Sequence, residues 1–237
     1  METVFFIFKG GIKIANNLKS KRISDIKTEK TMQTNFNAAY SILGMSYKRC
    51  LDKEMQLVGI DVISENNNKT YYIDEKCASD FWSKDLKTFA FELSAEICDK
   101  ITRKSLGKRV DGWLINKNNK TDMYALGYVR ADTKENLENN KISYFEVLFI
   151  KKKHLLKYIN SHIGNTDKLK ELDNKIREDA LKGKIKKRGE KERYKLKLTN
   201  NIFLCWSPCL AESPVNLVIS KDLLIKLASR KITFTIK

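Results

Sequence analysis

The sequence predicts an α/β protein with a central mixed β-sheet flanked by helices. Three observations support this class: an amphipathic helical pattern near the start, a series of β-prone runs after it, and a mixture of both toward the end. That order is typical of a sheet that buries its faces under helices. With 237 residues the chain can build one sizeable core, and its two prolines and ten glycines form no linker. We therefore expect a single domain over residues 1–237.

The first predicted helix runs from Lys27 to Leu43. Its apolar residues recur at intervals of three and four, which places them on one face, and they are Met32, Phe36, Tyr40 and Leu43. Gly44 follows as a helix stop signal. Glu29 lies on the same face, one turn before Met32. It is either a solvated acid of the helix's first turn or an acid directed at whatever the helix packs on.

The β-prone runs are predicted to form two hairpins and several further strands. The first hairpin pairs Leu57 to Ser64 with Thr70 to Cys77, and the second pairs Val110 to Ile115 with Tyr124 to Arg130. The remaining predicted elements are strands at Val4–Phe8, Leu86–Ser94, Phe145–Ile150, Ile202–Trp206, Val215–Ile219 and Ile232–Ile236, and helices at Lys152–Ile159 and Lys221–Ala228.

The charge of the chain points to a polyanionic partner. Its formal net charge is +17 and its pI is about 9.6. A surplus of that size opposes compactness unless a polyanion neutralises it, so nucleic acid or an anionic membrane is the leading class of partner. The alternative is a charge kept for solubility, or a genome whose codon usage favours lysine. No run approaches the ~20 apolar residues of a membrane-spanning helix, so we expect no membrane partner.

The excess charge is concentrated between residues 151 and 197, which contain 17 Lys and Arg against 7 Asp and Glu. We interpret this stretch as a loop or helix inserted on a folded body. Its most basic residues, predicted to contact phosphates, are Lys182, Lys184, Lys186, Lys187 and Arg188. The alternative is a solvated helix face that pairs with Glu190 and Glu192.

The five cysteines are odd in number and scattered, which is typical of reduced thiols in a cytoplasm. Cys205 and Cys209 have a spacing that some metal sites tolerate. No second Cys/His pair lies nearby, and the two histidines, His154 and His162, are far back in the sequence. We therefore expect no zinc site.

The first hairpin carries charged residues inside its apolar runs. Side chains alternate between the two faces of a strand, so Asp74 and Lys76 share one face. A turn centred near Asn67 pairs residues whose numbers sum to about 134, which brings Asp61 opposite Ile73 or Asp74. Two carboxylates that close repel each other unless a divalent cation or a proton lies between them. A lysine beside them can hold a phosphate or orient a water.

This pattern resembles the PD-(D/E)XK nuclease superfamily, which has the restriction endonuclease-like fold. The matching residues are Gly59-Ile60-Asp61 and Ile73-Asp74-Glu75-Lys76, with Ile60 in place of the signature proline. The resemblance covers roughly residues 23–160 and leaves the basic segment and the C-terminal strands, 161–237, unaligned. It implies a four-stranded mixed sheet and hydrolysis of DNA phosphodiester bonds that depends on Mg²⁺ or Mn²⁺. Asp61 and Asp74 would be the metal ligands, Lys76 would position water, and Glu29 would complete the shell.

Three alternatives remain at this point. The hairpin could be an exposed one whose Asp–Lys pair is worth under ~1 kcal/mol and has no function. The chain could be a DNA- or RNA-binding protein without catalysis. It could also be an RNA-directed protein, since the basic stretch with Tyr194 and Trp206 nearby would suit stacking on single strands. For an active nuclease, a homodimer is a further partner to consider, and the biological setting would be restriction, defence or a mobile element.

Overall fold

The computed structural model describes residues 9–66, 69–98, 105–185, 193–210 and 212–235, with the backbone alone for 9–23, 66, 98 and 105. Within these residues the helices are α1 (Lys9–Ile42), α2 (Lys53–Leu57), α3 (Lys134–Glu138), α4 (Lys152–His162), α5 (Thr166–Leu181) and α6 (Lys221–Leu227). The strands are β1 (Ser46–Arg49), β2 (Val62–Asn66), β3 (Lys69–Cys77), β4 (Thr88–Cys98), β5 (Ser105–Asp111), β6 (Met123–Arg130), β7 (Tyr144–Lys151), β8 (Tyr194–Lys197), β9 (Ile202–Trp206), β10 (Val215–Ser220) and β11 (Arg230–Phe234).

The strands form two sheets. A six-stranded sheet has the order β1-β2-β3-β6-β7-β11, and a five-stranded antiparallel sheet has the order β5-β4-β10-β9-β8. In the six-stranded sheet β3 and β6 are parallel, whereas the other neighbours are antiparallel. Parallel neighbours need a long connection between them. Here the connection passes through β4 and β5, so the two sheets are tied together between β3 and β6.

Each face of the six-stranded sheet is covered by a different layer. We call the side under α1 the helix face; its core includes Met32 and Phe36 of the helix and Ile73 of β3. We call the opposite side the inner face, because the five-stranded sheet packs on it through Phe91 and Leu204, among others. Both layers exclude water from apolar side chains, which is the main stabilising contribution to such a fold. The α/β class with a mixed sheet and flanking helices is therefore confirmed.

Several predicted elements are confirmed. The apolar stripe of the first helix lies in the core as expected, α1 ends at Ile42, and Gly44 follows with a positive φ of 62°. The strands β2, β3, β4, β6, β7, β9, β10 and β11 and the helices α4 and α6 overlap the predicted ranges. The strand predicted at Val4–Phe8 lies outside the described residues.

Two of the predicted strand boundaries are wrong. Leu57 ends helix α2, whose first turn is capped by the Asp52 carboxylate accepting the Glu54 N–H at 2.8 Å. The second hairpin does not form, because β5 pairs with β4 in one sheet while β6 pairs with β3 in the other. The residues from Gly112 to Ile115 make a turn instead of a strand. This turn starts a loop that crosses from one sheet to the other.

No helix in the described part of the chain is long and apolar enough to cross a membrane. The thiols of Cys50, Cys77, Cys205 and Cys209 are free.

Candidate metal centre

The hairpin of β2 and β3 brings the two predicted acids together. Val62 lies opposite Ile73 in this pair, and the Asp61 N–H donates to the Ile73 carbonyl at 2.9 Å, so Asp61 also lies opposite Ile73, the residue before Asp74. Of the two partners predicted for Asp61, this hydrogen bond selects Ile73. One Asp61 oxygen, Oδ2, accepts the backbone N–H of Glu75 at 2.8 Å. That hydrogen bond holds the Asp61 carboxylate beside β3, close to Asp74.

Asp74 is almost completely buried, with 1% of its surface exposed. Its Oδ1 contacts the Lys76 ammonium at 2.5 Å, whereas its Oδ2 has no hydrogen-bond partner among the described residues. Burial raises the pKa of Asp74 to about 7; Lys76 opposes this shift, and the neighbouring Asp61 carboxylate adds to it. A buried oxygen without a partner is uncommon in folded proteins and calls for an explanation such as a bound ion.

Lys76 lies on the same face as Asp74, as the alternation of β3 predicts, and 34% of its side chain is exposed. Its Nζ is 5.5 Å from the centroid of the Trp113 ring. Trp113 in turn packs against Phe91 and Tyr124, with ring centroids 5.2 and 5.1 Å away. The ammonium therefore lies between a buried carboxylate and an aromatic ring that is part of the contact between the two sheets.

The loop from Gly112 to Thr121 forms one wall of this site. At its start, a Cβ on Gly112 would come within 2.4 Å of the Glu92 carbonyl oxygen, so only glycine fits there. At its end, the Thr121 hydroxyl donates to the Gly59 carbonyl at 2.7 Å. Gly59 has a φ of 77°, a conformation that favours glycine. The loop is thus fixed both to the second sheet and to the segment that leads into Asp61.

The structure places Glu75 on the other side of the sheet. Its carboxylate accepts two hydrogen bonds from the Arg49 guanidinium, at 3.0 and 3.1 Å, and one from the Tyr40 hydroxyl at 2.8 Å. Burial raises the pKa of Glu75, while the hydrogen bonds from Arg49 lower it. Both oxygens of this buried acid therefore have partners. Arg49 has no counterpart among the predicted site residues, because nothing in its local sequence marks it.

Glu29 does not join Asp74 and Lys76. It is exposed on α1 and borders a cavity of about 560 Å³ on the helix face, which Asp61 and Glu75 also line. Its carboxylate accepts a hydrogen bond from the Gln33 side chain, at 3.4 Å. Asp61 is thus the one predicted site residue that reaches both the cavity and the vicinity of Asp74.

The start of the predicted phosphate-binding segment makes ion pairs with α5. Lys182 pairs with Glu178 at 3.2 Å, and Lys184 pairs with Asp179 at 3.7 Å. The other three predicted contacts, Lys186, Lys187 and Arg188, lie outside the described residues, as do Glu190 and Glu192. The role of this segment stays a prediction.

Trp206 is not free to stack on a base. Its ring is 7% exposed and packs face to face with Tyr194, with centroids 5.3 Å apart. Its Nε1–H donates to the Ser213 hydroxyl at 2.9 Å. The expectation that Trp206 serves single-strand recognition is therefore wrong, because the tryptophan belongs to the core of the five-stranded sheet.

Within the described residues, no group of three or more His, Cys, Asp and Glu side chains is arranged to hold a metal ion. The site instead offers two carboxylates, one with an oxygen that lacks a partner, and a lysine. This donor set suits a hard divalent cation that keeps several waters. Comparison of the chain with protein-family models, with curated proteins and with solved structures finds no match.

Proposed function

We propose that the chain is a Mg²⁺-dependent endonuclease that hydrolyses DNA phosphodiester bonds at Asp61, Asp74 and Lys76. One observation carries the proposal: the buried Asp74 Oδ2, which lies near a second carboxylate, has no hydrogen-bond partner in the part of the chain that the structure describes. Burying a carboxylate without satisfying it is costly. A divalent cation between Asp61 and Asp74 would remove that cost, and Mg²⁺ or Mn²⁺ fits oxygen ligands of this kind.

Each residue has a distinct part in the proposed reaction. Asp61, fixed by the Glu75 N–H, and Asp74 supply the anionic oxygens. A divalent cation held by Asp61 and Asp74 would supply Lewis-acid polarisation of the scissile phosphate. Lys76, paired with Asp74 and partly exposed, holds the attacking water or a phosphate oxygen by hydrogen bonding. We assign Glu29 no role in the reaction, because it borders the helix-face cavity and does not lie beside Asp74 and Lys76.

The substrate is proposed from charge. A net charge of +17 favours a nucleic acid, and DNA is chosen over RNA from the resemblance of the hairpin to DNA-cleaving enzymes. The free thiols fit a reducing compartment such as the cytoplasm. Restriction, defence or a mobile element is the setting in which such an activity is useful.

The test is incubation of the purified protein with supercoiled plasmid and with single-stranded RNA, in Mg²⁺, Mn²⁺ or EDTA. We expect nicked or linear plasmid with either cation and none with EDTA. The Asp74→Asn protein, prepared in parallel, controls for a contaminating nuclease. Intact plasmid with both cations, at protein concentrations at which the chain binds DNA, would contradict the proposal. Cleavage of the RNA alone would keep the site and change the substrate.

The basic segment is tested through the salt dependence of binding. Neutralising Lys184, Lys186, Lys187 and Arg188 together should weaken binding to all sequences alike. It should also flatten the slope of log K against log salt by up to ~0.9 for each phosphate that the variant no longer neutralises. If affinity is unchanged at low and at high salt, the segment is a solvated surface.

A second candidate is a nucleic-acid-binding protein without catalysis. The contact between Lys76 Nζ and Asp74 Oδ1 favours it, because this ion pair satisfies one oxygen without any cation. Under this alternative the protein binds DNA equally well in Mg²⁺ and in EDTA and leaves it intact.

A further inference from the structure

We infer that Lys152, held by Asn119, is a second cationic residue of the proposed site and contacts a phosphate of the nucleic acid. The inference rests on the proposed function for the identity of the substrate. Its basis is the position of Lys152 on the inner face, its contacts with the wall loop and the unfavourable place that it occupies in its own helix.

Lys152 lies on the same face of the sheet as Asp74. Asp74 lies opposite Tyr124 of β6, and Tyr124 lies opposite Ile150 of β7. Lys152 follows Ile150 by two residues, and its N–H donates to the Asp122 carbonyl at 2.8 Å. Lys152 is the first residue after β7, and its side chain reaches the inner face, where its ammonium contacts Asn119 and lies within the electrostatic influence of Asp74.

Along the strand direction, Lys76 and Lys152 lie on opposite sides of Asp74. Lys76 pairs with Leu126, two residues beyond Tyr124 in β6, whereas Lys152 aligns with Asp122, two residues before it. Lys152 directly follows β7, which β6 separates from β3, so the two backbones are about 10 Å apart across the strands and about 13 Å apart along them. The side chains of Lys76 and Lys152 therefore lie on either side of the buried Asp74 carboxylate.

The ammonium of Lys152 is fixed by the loop that also forms the wall of the site. Its Nζ donates to Asn119 Oδ1 at 2.9 Å and lies 3.5 Å from the Asn119 carbonyl oxygen. Asn119 Oδ1 also accepts the Thr121 N–H at 3.0 Å. Its amide packs on Gly59, where an added Cβ would come within 2.3 Å of Nδ2. One chain of contacts therefore connects the ammonium to the residue two positions before Asp61.

Helix stability does not explain a lysine at this position. Lys152 is the first residue of α4, and the first turn of that helix contains no acid and has no side-chain cap. A positive charge at a helix N-terminus opposes the macrodipole by typically 0.3–1 kcal/mol. Lys152 is also half-buried, and burial lowers the pKa of its ammonium. The charges of Asp74 and Asp122 oppose this shift.

The competing explanation is that Lys152 only neutralises Asp74 and Asp122. In that case its removal lowers stability and leaves the affinity for nucleic acid unchanged. An ammonium that contacts substrate has the opposite signature, because it provides a charge-assisted hydrogen bond to phosphate that water cannot replace equally.

The experiment compares Lys152→Gln with Lys153→Gln, which removes the same charge from the next residue, exposed in the same helical turn. Affinity for a labelled DNA duplex is measured by fluorescence anisotropy in Ca²⁺ at two salt concentrations, and kcat and KM are measured in Mg²⁺. Lys152→Arg tests rescue, and Lys152→Met replaces the glutamine variant if the latter does not fold.

We expect Lys152→Gln to weaken binding about tenfold or more, with a similar rise in KM, while Lys153→Gln changes binding by less than about twofold. The arginine variant should keep most of the affinity. Equal losses in the Lys152 and Lys153 variants, or absence of DNA binding by the unaltered protein, would overturn the inference. If the protein binds DNA with this dependence on Lys152 but never cleaves it, the proposed hydrolysis fails and the inference stands.

Discussion

Asp74 and Glu75 are consecutive acids of β3 with buried side chains, and they differ in how far the surrounding residues satisfy their hydrogen bonds. Glu75, on the helix face, accepts three hydrogen bonds from Arg49 and Tyr40. Asp74, on the inner face, has one oxygen in contact with Lys76 and the other without a partner. Burial raises the pKa of both, and the charge of the Asp61 carboxylate adds to the shift in each.

The difference separates an acid that supports the fold from one that is available for chemistry. A buried charge whose lone pairs are satisfied stays in place because removing its partner leaves an uncompensated charge. A buried carboxylate with a spare oxygen adds little to stability when it stands alone. Sites of this kind are where proteins bind ions or adjust protonation for catalysis.

The largest expected effect is on cleavage. Asp74→Asn and Lys76→Met should each reduce plasmid cleavage by about a thousandfold or more, because metal-assisted charge stabilisation contributes several kcal/mol to the transition state. Glu75→Gln, assayed well below its unfolding temperature, should retain activity within about tenfold. Initial rates in Mg²⁺ provide the measurement. A Glu75 variant as inactive as the Asp74 variant would remove the distinction between the two acids.

The second effect is on the free energy of unfolding, and we expect it for substitution of Glu75 rather than of Asp74. Glu75→Gln or Arg49→Met should lower the free energy of unfolding by about 3 kcal/mol, since each breaks a buried pair. At about pH 4 in EDTA, Asp74→Asn should be within about 1 kcal/mol of the unaltered protein, because the raised pKa keeps Asp74 protonated there and the substitution then removes no charge. Urea unfolding followed by tryptophan fluorescence measures both. Equal destabilisation by the two substitutions would mean that Asp74 is a structural acid too.

The last effect concerns the dependence of stability on pH. The pKa of Asp74 is raised to about 7 in the folded protein, against about 3.9 in an unfolded chain. Between these values the folded state holds a proton that the unfolded state releases, so unfolding is favoured as pH rises. In EDTA, the stability of the unaltered protein should fall from about pH 4 to about pH 7 relative to that of Asp74→Asn. Parallel stability curves for the two proteins over this range would show that Asp74 has an ordinary pKa.

The sequence was sufficient to bring Asp61 close to Asp74 because their proximity follows from a local hairpin. A short turn and the alternation of side chains determine the register of β2 and β3, and the residues that face each other follow from it. The amphipathic stripe of α1 was predictable for the same reason, since its period is visible within one helix.

The rest depends on contacts between distant segments. Arg49 meets Glu75, and Asn119 meets Lys152, only after β1 and β6 have joined the sheet. The second hairpin was predicted from two apolar runs close in sequence, yet β5 pairs with β4 and β6 pairs with β3. Sequence proximity favoured the wrong pairing. The Asp52 cap of α2 is a local signal that could have corrected the start of β2.

The most direct test of the central claim is the binding of Mn²⁺ to the purified protein, measured by equilibrium dialysis or by the loss of the free-ion signal in electron paramagnetic resonance. We predict uptake of about one Mn²⁺ per chain near neutral pH. Uptake should be abolished in Asp61→Asn and in Asp74→Asn and retained in Glu75→Gln. No uptake by the unaltered protein, or equal uptake in Asp74→Asn, would contradict the assignment of Asp61 and Asp74 as a metal centre.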